Sequence, residues 1–439
     1  MTKNYKTIAL LGILIFTLTA FSIYDIPVLG SLWARFFPKT LDPVSLTVWG
    51  LWEEKPILDK VSESYKAEFP HVSINYDDRS VLALVEYKER VFERARDVNG
   101  PDIILVHNSW IPRLLASDLL APAPADVFPA ADFSSRYYPV TAKESVVNGS
   151  VYAVPAYYEG LALVYNKEHF DEVGQTNPPT AWEELRRLAL DLTVRDTSVS
   201  SKNVITRGGL ALGSASNVDH FSDVLGLLWS QAGVAIPSEL DSAAAQEVLK
   251  FYVNLVRQDQ VWSEDLPEAS TAFINGQASM IFVPSWQVQD ILDAMPDDSV
   301  VGVAPVPQAR ANNPVTWASY WSYVVPKTSD STNESWKFIN YVSSDAQARF
   351  IFSEASKLRP FGTPYAAQTL ANEQKTNEFI APYLQMAPYA ASAEISARSG
   401  NRRQETALSD AVNAALQYRS SNDLDVSEIM STVKQTLSQ

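Results

Sequence analysis

The chain has 439 residues, none of them cysteine, with 51 acidic against 35 basic residues and a formal net charge of −16. Without a thiol there is no disulfide framework, zinc ribbon, iron–sulfur cluster, cysteine nucleophile or lipid-modified cysteine, and the acidic balance argues against nucleic acid, whose binding needs a basic face. At roughly 150 residues per domain the length implies two or three domains, and the 11 Trp and 19 Tyr are the informative excess.

Lys3 and Lys6 precede an almost unbroken apolar run from Ile8 to Tyr24, and no acidic residue comes before Asp25. Residues 1–24 therefore read as an export signal or an uncleaved membrane anchor. The run is long for a signal core and sits at the short end of the ~17–25 residues that cross a bilayer. A cleavage site after Ala20 would put Leu18 in a poor position, which favours the anchor. The two lysines keep the N-terminus in the cytoplasm and place everything after it outside. Residues 25–43, with three prolines from Ile26 to Pro43, read as a spacer. The surplus of acid lies wholly in the part past Leu41.

Beyond that point strands and helices alternate. Val44, Leu46 and Val48 alternate with polar or amphipathic neighbours as a half-buried strand does, ending at Trp49–Glu53. Ile57, Val61, Tyr65 and Phe69 then recur at helical spacing behind Pro56. Val72, Ile74 and Tyr76 form a second strand, ending at Asp77-Asp78. A helix follows, with Val81, Leu84/Val85, Val91/Phe92 and Ala95 on one face, stopped by Asn99-Gly100-Pro101. Ile103–Val106 is a short apolar run between turn signals, the pattern of a strand buried on both faces. This β-α-β-α-β order predicts an α/β fold with a parallel, doubly wound sheet, in which ligands gather at the carboxyl ends of the strands. Further on, Thr180-Ala-Trp-Glu183 reads as a capping box. Helices are expected around Phe221–Gln231 and Ala243–Gln258, and strands at Ala278–Val283, Val300–Pro307 and Ser322–Pro326. The region past Ser335 reads as mostly helical.

Six segments carry a family resemblance: Gly100-Pro-Asp-Ile-Ile104, Tyr152-Ala-Val-Pro155, Gly160-Leu-Ala-Leu-Val-Tyr-Asn-Lys167, Pro178-Pro-Thr-Ala-Trp-Glu-Glu-Leu185, Phe273-Ile-Asn-Gly-Gln-Ala-Ser-Met280 and Val303-Ala-Pro-Val-Pro307. In order and spacing they resemble the extracellular solute-binding proteins that include the maltose-binding proteins, the substrate receptors of carbohydrate ABC importers. The resemblance implies a two-lobed periplasmic-binding-protein-like fold, with a ligand cleft between lobes and closure by hinge rotation. Residues 44–156 plus 305–343 would form the first lobe and 157–304 plus 344–439 the second, with crossings near Pro155–Glu159, near Pro305–Pro307 and after Val342. It also implies a small-molecule ligand, a carbohydrate by class, and ABC permease subunits as partners, with no cofactor and no catalysis. The missing lipobox cysteine departs from many relatives and leaves both fates of residues 1–24, cleaved signal and permanent anchor, open.

A sugar offers apolar C–H faces and a rim of hydroxyls, so a receptor supplies flat aromatics with amides and carboxylates that fix orientation. The loops at strand ends contain this mixture: Trp49, Trp52 and Glu53; Asp77 and Asp78; Asn108 and Trp110; Tyr157, Tyr158 and Glu159; Trp286; Trp317, Tyr320 and Trp321; and Arg359. By motif position Trp286 matches the family's ligand-stacking tryptophan, and Glu159 sits at a crossing where a carboxylate contacts sugar. Each has a plainer alternative. Asp78 and Asn108 suit helix or turn caps, Arg359 can bond a carbonyl, and the strand-end aromatics can pack. Trp182, Trp229, Trp262 and Trp336 lie inside helical patterns and are expected in the core.

Catalytic motifs are missing: there is no G-x-S-x-G, H-E-x-x-H or Walker A sequence, and His71, His107, His169 and His220 lack metal-ligand spacing. Three rival readings stay open. A pair such as Glu53 with Glu159 could serve a glycosidase, an acidic, aromatic cleft could hold a polyamine or another small organic solute, and an anchored receptor could act as a sensor feeding a membrane partner.

Overall fold

The computed structural model describes residues 42–52, 55–196, 198, 204–395, 397, 399–418 and 425–438. The expected anchor over residues 1–24, most of the spacer and Glu53 lie outside them. Among the described residues no helix is long and apolar enough to cross a membrane.

The first half opens with strand β1 (Val44–Gly50), helix α1 (Lys55–Glu68), strand β2 (Val72–Asp78), helix α2 (Leu84–Arg94), strand β3 (Ile103–His107) and the short strand β4 (Val154–Pro155). The elements that matter next are β5 (Ala162–Asn166), α3 (Phe221–Gln231), β6 (Met280–Val283), α4 (Ser285–Ala294), β7 (Val301–Ala304), β8 (Trp321–Val324) and α5 (Arg402–Leu416). The first sheet runs β2-β1-β3-β8-β4. β1 pairs in parallel with β2, from Val44 opposite Val72 to Gly50 opposite Asp78, and with β3. β3 is buried at every position, as a central strand covered on both faces must be. β8 returns antiparallel between β3 and β4, so the sheet is mixed rather than wholly parallel. The second sheet, β6-β5-β7, is antiparallel throughout.

Two hydrophobic cores result. One gathers β1, β2, β3 and Val151–Val154 with Trp321–Val325, Trp336–Val342 and Tyr365–Leu370. The other gathers Tyr158–Val164, α3, β6, Val306, Trp317 and Tyr320 with Ile380–Ala387 and the C-terminal helices. Trp182, Trp229, Trp262 and Trp336 are all buried in these cores.

Local chemistry explains where elements depart from their sequence patterns. α2 starts at Leu84 rather than Val81, and Val81 is 92% exposed. The cause is a turn: Asp78 accepts the N–H and hydroxyl of Ser80 at 2.9 and 2.5 Å, which holds the chain out of helix for one more step. The helix Trp182–Leu192 is capped by Glu184, not Glu183, whose carboxylate accepts the Thr180 N–H at 2.9 Å. A tight Asn275-Gly276 turn, with Gly276 at φ 69°, leads into β6.

Candidate functional site

A cavity of about 340 Å³ lies between the two cores, within the ~300–1,000 Å³ usual for small-molecule sites. Its walls come from the end of β1, the segment after β4, the N-terminus of α3, helix α4, and the stretch leading into β8. This is where a mixed α/β sheet delivers strand ends to a crevice.

Four tryptophans line it: Trp52, Trp286, Trp317 and Trp321. Trp52 sits past β1 with φ 55°, 40% exposed, its ring edge-on to Trp321 at 5.0 Å. Trp321 is held from behind by Trp110 at 5.4 Å and His107 at 5.3 Å, both T-shaped. Trp317 is buried against α3, where Gly226 makes room: a Cβ there would fall 2.5 Å from the indole. The Trp317 indole N–H donates to Asp223 Oδ1 at 2.8 Å, so the ring is fixed by packing and by a charge-assisted bond. Trp286 is half-buried in the first turn of α4 and meets the edge of His220 at 5.9 Å.

Glu159, buried at 3% exposure, accepts the Ser285 N–H and hydroxyl at 3.0 and 2.8 Å. A carboxylate thus caps the N-terminus of α4, where the helix dipole favours negative charge. His220 is held between Asp223 Oδ2 at 3.2 Å and Gln287 Oε1 at 2.6 Å. Among the described residues, two buried donors facing the cavity, Gln289 Nε2 and Arg359 Nε, have no protein acceptor. A buried donor left unpaired costs on the order of 1–3 kcal/mol, so these two suit oxygen acceptors supplied from within the cavity. Among the described residues no cluster of His, Asp and Glu could hold a metal ion.

Of the residues singled out from sequence, the cavity brings together Trp52, Tyr157, Glu159, Trp286, Trp317, Trp321 and Arg359. The others do not line it. Trp49 is buried in the first core, under the Arg79 guanidinium at 4.2 Å. Asp78 caps its own turn. Trp110 is buried and donates to the Ser399 carbonyl at 2.6 Å. Tyr158 is fully buried against Tyr138, and burial pushes its phenol well above the usual range. Asn108 and Tyr320 belong to a buried network on Glu144. Asn108 Nδ2 donates to Glu144 at 3.1 Å and to Ser392 at 2.8 Å, and the Tyr320 hydroxyl donates to the same carboxylate. Burial, then Glu144, raise the Tyr320 phenol well above its ordinary value, so it stays a donor. Residues missed include Gln289, Asp290 and Asp293. They lie three, four and seven positions after Trp286 on one stripe of α4, a spacing visible once α4 is known to be a helix.

Residues 43–349 match the family described as bacterial extracellular solute-binding protein. The maltodextrin-binding protein MdxE of Bacillus subtilis is 22% identical over 398 residues, covering 82% of this chain and 89% of its own. The maltotriose-binding protein of Pyrococcus abyssi is 22% identical over 300 residues, 67% of this chain and 61% of that one. The solved sugar-binding protein MalE from Xanthomonas citri superposes with a TM-score of 0.72 at 18% identity, covering 90% of this chain and 97% of the other. The two-lobed fold is therefore shared.

Proposed function

Because the chain belongs to the bacterial extracellular solute-binding proteins, we propose that it captures a sugar or short oligosaccharide in the cavity between its lobes and presents it to an ABC permease. The observation that carries this reading is the cavity with four tryptophans on its walls and two donors, Gln289 Nε2 and Arg359 Nε, without a partner among the described residues. Indole faces match the C–H faces of a pyranose, and the donors match its hydroxyl and ring oxygens. Relatives named for maltodextrin and maltotriose support the same ligand class. Recognition needs no reaction here, and the signal is the difference in affinity between open and closed lobes.

We place the lobes on the two cores. Support comes from Val306, Trp317 and Tyr320 packing with the second core while Trp321 packs with the first. The second crossing then falls at Tyr320–Trp321 rather than Pro305–Pro307. Residues 1–24 serve, in this reading, as the anchor on the outer face of the cytoplasmic membrane; fractionation of the full chain checks this, and recovery of a shortened, freely soluble product would contradict it.

A thermal-shift screen against sugars, polyamines and amino acids tests the function. Saturation at about 100 times the dissociation constant adds roughly 2.7 kcal/mol. Stabilisation by saccharides supports the proposal. A shift with polyamines and none with saccharides overturns it in favour of a cationic solute, a reading that Asp290 and Asp293 on the same wall would then explain.

A further inference from the structure

A second cavity, about 730 Å³, lies on the seam where α2 and the segment Ile111–Ala116 meet the start of α5. The first two belong with the first core, and α5 packs into the second. Four cations line it, Lys88, Arg96, Arg113 and Arg402, with only Glu89 and Glu93 as carboxylates. In a chain of net charge −16 this is an inverted patch. None of the four cations has a carboxylate within 4.0 Å among the described residues, although acidic and basic side chains pair repeatedly elsewhere. Lys88 instead lies over the Trp110 ring at 5.7 Å, and Arg113 over Phe92 at 5.3 Å. Burial first, then the Arg113 charge, push the Lys88 ammonium down to about 8, against the opposing charge of Glu394.

We propose that this seam cavity is a binding site for a small oxyanion such as phosphate or sulfate, held by Lys88 and Arg113 from one lobe and Arg402 from the other. Guanidinium and ammonium groups lining one space suit tetrahedral oxyanions, with charge-assisted bonds stronger than neutral ones. The anion bridges the lobes, so its binding is coupled to their closure. Contacts lead directly to the cleft: Trp110 bonds Ser399 beside the seam at 2.6 Å, and its ring meets Trp321 at 5.4 Å. Coupling of this kind is reciprocal, so the anion changes saccharide affinity by the same factor that saccharide changes anion affinity.

The test is calorimetric titration of the purified chain with inorganic phosphate at neutral pH, ionic strength being held constant with chloride. The expected result is saturable one-site binding at millimolar or lower concentration, weakened about tenfold or more by Lys88→Met with Arg113→Met, with sulfate competing. Arg402→Met, an exposed change at a helix start, gives a smaller loss and serves if the double variant does not fold. Lys88→Arg retains binding. No saturable heat, or the same affinity in Arg402→Met and the double variant, overturns the site. Saccharide binding in the cleft does not depend on either result, so failure here leaves the proposed function untouched.

Discussion

The Glu159 carboxylate accepts two hydrogen bonds from Ser285, one from its backbone N–H at 3.0 Å and one from its hydroxyl at 2.8 Å. The pair ties the segment after β4 to the first residue of α4, the helix that carries Trp286 into the cavity. Glu159→Ala removes the acceptor and leaves a buried N–H and hydroxyl unpaired, which destabilises by about 1–3 kcal/mol. The urea midpoint should fall with an unchanged slope, and Glu159→Gln, which keeps one acceptor oxygen, should lose less. An unchanged midpoint in Glu159→Ala would show that the cap does not stabilise α4.

Gly226 and Trp317 make a sharper steric test. Alanine in a helix interior ordinarily stabilises by roughly 0.5–1 kcal/mol relative to glycine. At position 226 the new methyl falls 2.5 Å from the Trp317 indole, and overpacking costs about 1–3 kcal/mol. Gly226→Ala should therefore lower the melting temperature and alter the near-ultraviolet circular dichroism of the tryptophans. A rise in stability would mean that the indole has room to move.

Acid should weaken the fold through His169. Burial first, then the Arg207 charge, bring this imidazole down to about 4 from 6.5. Between those values the unfolded chain binds a proton that the folded chain refuses, so stability is full above 6.5 and declines as the pH falls toward 4. His169 Nδ1 lies 3.0 Å from the Ser279 hydroxyl. His169→Gln should flatten the decline across that window when urea midpoints are compared at several pH values. Parallel curves for the two proteins would assign the acid sensitivity elsewhere.

Trp286 is half-buried and Trp317 fully buried, so truncating them should separate binding from stability. Trp286→Ala should weaken saccharide binding by about tenfold or more, as removal of an aromatic anchor does, with little change in melting temperature. Trp317→Ala should do both, through a core cavity and the loss of the Asp223 bond. Equal effects of the two changes on stability would place Trp286 among packing residues.

Much of the fold was legible because period-2 and period-3.6 patterns report burial directly. β1, β2, α1 and the buried run of β3 followed from alternation and spacing alone. What the pattern could not show was the partner of each strand: β8 lies antiparallel beside β3, a pairing made across more than two hundred positions. The site was half legible for a related reason. Strand-end position tells that Trp49 and Trp52 are near a crevice, but successive side chains point to opposite faces. Trp49 went to the core, whereas Trp52, released by its positive φ, reached the cavity. Trp110 and Tyr320 sit beside cavity residues yet support them from behind. Gln289, Asp290 and Asp293 escape a reading of the Trp286 segment as a strand-end loop, because only a helix brings all four onto one wall.

Titration calorimetry of the purified chain and of Trp286→Ala with a maltooligosaccharide series reads out whether saccharide binds among Trp52, Trp286, Trp317 and Trp321. The native chain should show saturable one-to-one binding, and the variant a loss of about tenfold or more. Equal affinity in both proteins, or no binding of any saccharide by a chain that binds another solute, would contradict it.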